Sequence, residues 1–378
     1  MIRTSPKTKG KLKLTNKPSS RRIDFGFVGL LVLLSLLGLV VLWSASRGAE
    51  GEMAGYASKQ VRWLLVGIAA MIAAASVDHR KLYQNAYIIY GTLIVLLLLV
   101  LFLGKISMGA QRWLALGPIR FQPSEFMKVG MAIVAARYFS DSPVRPPYGA
   151  KDLLAPALLT LAPVLLTALQ PDLGTAILVA AVASAVTLFQ GVKKRTFLTI
   201  IGGALAAAPL FWYLLRDYQR QRILTFLDPE RDPAGAGYHT IQSKIAIGSG
   251  QILGKGYLEG TQSHLRFLPE RHTDFIFAVL AEEWGFIGSI VVLALFFLLI
   301  LWGLDIAAKA RDTFGRLLAV GLTAILFFHV FVNVGMVLGI LPVVGVPLPL
   351  FSYGGSSVLT AYIIAGILLG IRMRRFSN

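Results

Sequence analysis

The chain has no cysteine, which excludes disulfides, thiolate catalysis and cysteine-ligated zinc or iron–sulfur sites. It is also poor in charge: Asp, Glu, Lys and Arg make up 15% of residues, against about 25% in a soluble domain. Acids are the scarcer sign, 19 against 37 bases. The five histidines (His79, His239, His264, His272, His329) are too scattered to suggest a metal cage, and no His-Glu-x-x-His is present. The run Gly248-Ser-Gly-Gln-Ile-Leu-Gly-Lys-Gly256 fails as a phosphate loop. Ser249 stands where its first Gly should be, and Gly256 replaces the magnesium-holding Ser or Thr. ATP-driven transport thereby loses its main sequence support. No internal repeat is visible, so an inverted-repeat transporter is not indicated.

What the chain does have is apolar length. A hydrophobic share of 56% and a mean hydropathy of +0.68 define an all-α polytopic membrane protein. A span needs about 20 mostly apolar residues. Runs near 25–45, 61–77, 84–103, 121–139, 153–170, 173–191, 197–215, 274–302, 316–339 and 353–371 predict about ten transmembrane helices. The first run follows a basic segment, yet it is too long for a signal-peptide core and no small-residue cleavage site follows, so it reads as a retained span.

Charge placement sets orientation. Arg3, Lys7, Lys9, Lys11, Lys13, Lys17, Arg21 and Arg22 precede the first span against the single acid Asp24, which puts the amino terminus on the cytoplasmic side. Alternating ten spans then places Lys193, Lys194, Arg195, Lys309, Arg311, Arg316, Arg372, Arg374 and Arg375 inside as well. Much of the net charge of +18 is therefore charge facing anionic membrane lipid, and no nucleic-acid partner is implied. Residues 1–22 read as a disordered basic cytoplasmic arm, and 23–378 as a single transmembrane domain with a long extracytoplasmic loop, 216–273, between helices 7 and 8.

Polar chemistry concentrates off the cytoplasmic side. In Phe267-Leu-Pro-Glu-Arg-His-Thr-Asp274, cations surround a carboxylate that stands at the mouth of an apolar helix. An ionisable group there is a functional site by default, although Asp274 as a helix cap is the plainer reading. Four further segments join it. Gly109-Ala-Gln-Arg112-Trp113 leads to Arg120-Phe-Gln122-Pro123-Ser124-Glu125-Phe-Met-Lys128, where Glu125 and Lys128 share one helix face and are expected to neutralise each other. Pro123 and Glu125 also read as ordinary helix-start residues. Leu169-Gln170-Pro171-Asp172 is a turn so short that Asp172 reads either as a cap or as a second polar group of the same cavity. The 216–273 loop carries Arg220, Arg222, Gln242 and Lys244 among eight bases and six acids, a balance that argues for a lid or binding element over a nonspecific anion patch. Last, Pro342 to Ser357, with Ser352 and Ser356, is irregular backbone at membrane depth, tolerated where protein or a wet cavity satisfies it.

Those segments, in that order, resemble the SEDS family (shape, elongation, division and sporulation) over nearly the whole chain after residue 22. Arg271, and His239 after Gly237-Tyr238, make the chain look more like the elongation type than the division type. The resemblance implies polymerisation of lipid II, an undecaprenyl-linked disaccharide peptide, into β-1,4 glycan with release of undecaprenyl pyrophosphate. It implies Asp274 as the base that takes the acceptor hydroxyl's proton. Arg112, Arg120, Lys128, Arg220, Arg222 and Lys244 become candidates for the leaving diphosphate. Trp113, Gln122, Glu125, Asp172, Gln242, His272, Ser352 and Ser356 join them as candidate substrate contacts. A class B penicillin-binding protein, acting as transpeptidase, is the implied partner through a single span docked on the bundle. The implied home is the bacterial cytoplasmic membrane, with the site facing outward. No metal ligand is assigned: a magnesium or manganese ion suits such chemistry, but no Asp-x-Asp motif argues for one. The alternatives are a lipid II flippase, a division-type polymerase and, last, a scaffold.

Overall fold

The computed structural model describes residues 24–46, 55–107, 110–116, 119–215, 217–232, 235–264 and 270–375. The basic arm 1–22 and Phe267 to Pro269 of the acidic motif lie outside the described residues.

Among the described residues, seven helices are long and apolar enough to cross a membrane: α1 (Phe25–Ser46), α2 (Tyr56–Ser76), α4 (Ala86–Leu103), α7 (Leu173–Gln190), α12 (Ile276–Ala308), α13 (Thr313–Val337) and α14 (Gly355–Met373). Three more occupy the remaining expected spans: α5 (Pro123–Asp141), α6 (Leu154–Leu169) and α8 (Lys194–Leu214). They miss the same standard for physical reasons. Helix α6 is short at 16 residues, and α5 carries the Glu125–Lys128 pair on a helix buried nearly all round. Helices α13 and α14 form the buried centre; α13 packs against α12, α5 and α7, and α14 against α2. Helix α8 stands at the rim with Leu205, Leu210 and Tyr213 exposed.

Ion pairs gather several helix ends on one face. Asp24, ahead of α1, accepts from Trp302 Nε1 of α12 (2.9 Å) and pairs with Arg372 of α14 (2.5 Å), which also reaches Asp305 of α12 (3.0 Å). His79, at the start of the short α3 (His79–Gln84), meets Asp312 (2.9 Å), whose other oxygen caps α13 through Gly315 N (2.8 Å). Both ends of the described chain therefore leave from the same side.

The opposite face departs from expectation. Residues 105–121 form a small antiparallel sheet, β1 (Lys105–Ser107), β2 (Ala110–Leu116) and β3 (Ile119–Phe121) in the order β1-β2-β3, so the fold is helical with one strand-built appendage. The expected loop 216–273 is largely helical among its described residues. It contains α9 (Asp217–Leu227), a 3-10 turn at Pro229–Arg231, α10 (Ala236–Ser249) and α11 (Thr261–His264). Helix α12 is broken at Gly285, where φ is +66°. There Phe286 N and Ile287 N donate to the carbonyls of Gln251 and Ile252, while Lys255 N and Gly256 N donate to those of Glu282 and Glu283. A side chain on Gly285 would overlap the Gly254 nitrogen, and that close approach is what the glycine-rich run provides.

Candidate active site

Asp274 lies in the turn that leads into α12, one residue before the cap position held by Phe275, and α12 has no side-chain cap. The capping reading of Asp274 therefore fails. The turn is built from main-chain contacts. Thr273 N and Phe275 N donate to Glu270 O (3.1 and 3.3 Å), and Tyr353 N donates to His272 O (2.8 Å). Ser352 Oγ donates to Thr273 O (2.5 Å), and Asn333 Nδ2 to Asp274 O (2.9 Å). Arg271, on the same turn as Asp274, is buried and donates to Ala45 O at the end of α1 (2.8 Å). The His272 ring stacks on Tyr56 (4.6 Å between centroids), which stacks on Tyr353 (4.4 Å), so this histidine walls the turn in an aromatic cluster. Burial holds the His272 imidazole below its ordinary value.

The electrostatics of Asp274 suit proton transfer. Burial pushes its carboxyl up to about 7, and the Glu270 carboxylate pushes the same way; Arg112 and Arg222 pull it down and Asp172 raises it. A carboxyl poised there is half ionised near neutral pH, the condition in which a group both accepts a proton readily and is ionised often enough to do so.

Asp172 caps its helix and also meets polar groups from other segments. It caps α7 through Thr175 N (3.4 Å), and its carboxylate accepts from Gln122 Nε2 (3.2 Å) and Ser124 Oγ (3.5 Å). Arg112 approaches it at 3.8 Å and also donates to Pro171 O. Ser356 Oγ accepts from Gln122 N (3.3 Å), which brings the start of α14 to the same cluster. Arg112, Gln122, Asp172 and Ser356 thus converge from four separate segments.

Other candidates sit elsewhere. Lys128 is fully buried between Glu125 Oε1 (2.7 Å) and His329 Nε2 (2.5 Å). A carbonyl accepts only, so His329 Nδ1 carries a hydrogen toward Pro347 O (3.1 Å), and Nε2 is the acceptor for the lysine. Arg220 donates to the carbonyls of Trp212 and Tyr213 (3.0 and 2.7 Å) at the end of α8. Lys244 is exposed on α10 with its ammonium end against Gly339, and Gln242 lies partly buried on the same helix. Trp113 pairs with Lys105 in the sheet; the Arg120 backbone pairs with Ala115, and its side chain lies outside the described residues. Sequence reasoning missed His329 and Asn333. Their spacing of four on one face of α13, opposite the Pro-rich stretch, was the available signal.

A helical membrane bundle that holds a carboxyl near neutrality beside guanidinium groups defines a membrane-embedded protein equipped for acid–base chemistry on an anionic substrate. Residues 25–376 match the family model described as cell cycle protein, of the FtsW, RodA and SpoVE type, and the chain belongs to this SEDS family. It is 50% identical to the peptidoglycan glycosyltransferase MrdB of Escherichia coli K12 over 92% of this chain and 93% of that protein. It also resembles two solved structures. A chain from a peptidoglycan synthase complex that coordinates polymerization and crosslinking has a TM-score of 0.81 at 35% identity, covering 94% of this chain and 99% of that one. The Thermus thermophilus rod shape determining protein RodA has a TM-score of 0.72 at 32% identity, covering 96% and 100%.

Proposed function

We infer that this chain is a peptidoglycan glycosyltransferase of the RodA type, serving cell elongation and rod shape, and that Asp274 is its general base with lipid II as substrate. The observation that carries the base assignment is a half-buried carboxyl that desolvation raises to about 7 and on which the Arg112 and Arg222 charges act. Its carboxylate takes the proton of the acceptor's 4-hydroxyl as that oxygen bonds to the donor's anomeric carbon. The anomeric carbon–oxygen bond to the diphosphate breaks, its electron pair leaves with undecaprenyl pyrophosphate, and inversion yields the β-1,4 linkage. Arg112 and Arg222 are first in line to receive the diphosphate charge as it develops, with Arg120 and Lys244 behind them.

We place ten spans in the bacterial cytoplasmic membrane, with both termini and the arm 1–22 inside, 23–378 as one domain and Asp274 facing out. The face that joins Asp24, Asp305, Asp312 and Arg372 supports this, because it is where the basic connections meet. A class B penicillin-binding protein is the proposed partner. The groove of about 790 Å³ between α12 and α13, lined by Leu293, Phe297, Ile300, Phe327, Phe328 and Phe331, offers its single span an apolar seat.

The test uses purified protein, with and without that partner, and lipid II in detergent. Wild type is expected to lengthen glycan, insensitive to moenomycin as the family is expected to be, and insensitive to penicillins because no Ser-x-x-Lys motif is present. Translocation of labelled lipid II in liposomes with no polymer in detergent would overturn the enzyme in favour of a flippase.

A further inference from the structure

We propose that Asn333 is a positioning residue for the Asp274 base: its amide clamps the Asp274 carbonyl and the strap 342–349 to one point on α13, and so sets where the carboxylate sits. This rests on the reading of Asp274 as base. The strap, Pro342-Val-Val-Gly-Val-Pro-Leu-Pro349, holds three prolines and cannot build a regular hydrogen-bond ladder, so its carbonyls must find donors on neighbouring elements. Asn333 Nδ2 donates to Val346 O (2.8 Å) and to Asp274 O (2.9 Å), which uses both amide hydrogens.

The side chain is fully buried and Oδ1 has no partner. Turning the amide over would aim that oxygen at two carbonyl oxygens, so the donor orientation is forced. An asparagine whose oxygen is left idle in the core is retained for its two hydrogens. The strap it holds is also the wall of the carboxylate. Gly345 has φ +74°, and a methyl group there would stand 3.3 Å from Asp274 Oδ2. Removing the clamp frees the turn and the strap together and lets water reach the carboxylate. The charged groups acting on Asp274 come from several elements: Glu270 from its own turn, Arg112 from β2, Arg222 from α9 and Asp172 from the cap of α7. None of them depends on Asn333, so the clamp acts through position and hydration.

The experiment measures lipid II polymerisation by the purified full-length protein and its partner from about pH 5 to pH 9, in wild type, Asn333→Ala, Gly345→Ala and Asp274→Asn. Asn333→Ala is expected to lose turnover by on the order of 10- to 100-fold with an unchanged KM, and its acid limb moves to lower pH as the carboxyl becomes hydrated. Gly345→Ala, which attacks the same contact from the strap, moves the limb too and serves if Asn333→Ala fails to fold. A wild-type rate and an unmoved limb in Asn333→Ala, or a lower folded yield with an unmoved limb in both variants, overturns the positioning role and leaves the base intact. An active Asp274→Asn, or no limb near neutrality in wild type, overturns the base reading itself.

Discussion

At the residue scale, the site works by sorting charges that look alike in the sequence. Arg271, Arg220, Arg112 and Arg222 all read as cations near an acid. The fold takes Arg271 to Ala45 O and Arg220 to the end of α8, while Arg112, itself bonded to Pro171 O, and Arg222 act on the Asp274 charge. Asp274→Asn is expected to abolish polymerisation while the protein stays folded, since a general base contributes about 10²- to 10⁴-fold; near-normal glycan synthesis by the purified variant contradicts this. Two pH dependences of opposite sign follow. Activity rises as pH climbs through about 7 and the base ionises. Stability runs the other way, because a carboxyl raised from 3.8 to about 7 binds its proton more tightly folded than unfolded, and its contribution is lost as pH rises across that interval. Asp274→Asn should therefore melt above wild type at pH 8, with the gap closing toward pH 4, measured by thermal unfolding in detergent.

At the element scale, two devices hold an irregular site inside a helical bundle. The first is the break in α12, where main-chain bonds from 251–256 replace those the helix gives up at Gly285. Gly285→Ala places a side chain at positive φ and against the Gly254 backbone, so folded yield by fluorescence-detected size exclusion should collapse, whereas Gly202→Ala, in open space on α8, should leave it unchanged. The second is the chain Glu125–Lys128–His329–Pro347, which ties α5 through α13 to the strap. Breaking one partner of a buried pair costs about 3–5 kcal/mol, more than replacing both. Lys128→Ala should accordingly lower the melting temperature more than Glu125→Ala combined with Lys128→Ala, and strict additivity of the two single changes would show that they do not interact.

At the scale of the whole molecule, sidedness organises everything else. The latches Asp24–Arg372 and His79–Asp312 mark one face, and Asp172, Asp274 and the strap lie toward the other. The cysteine-free sequence makes this directly measurable. A single Glu259→Cys should react with a membrane-impermeant maleimide in intact cells, and Lys194→Cys only after permeabilisation; the reverse pattern would invert the topology.

Sequence alone determined the family and the helical membrane class, because these follow from composition, from the length of apolar runs and from local order along the chain. The expected boundaries of α1, α4 and α7 lie within about two residues of those observed. Only the tertiary structure decided which cations act on Asp274, that Asp172 caps α7 while its carboxylate also meets Gln122 and Arg112, and that His329 and Asn333 hold the strap. Those facts depend on contacts between segments tens to hundreds of residues apart, as with Asn333 and Asp274 or Gln122 and Ser356. Local pattern constrains which face of a helix a side chain occupies, whereas its partner across the bundle is set by packing.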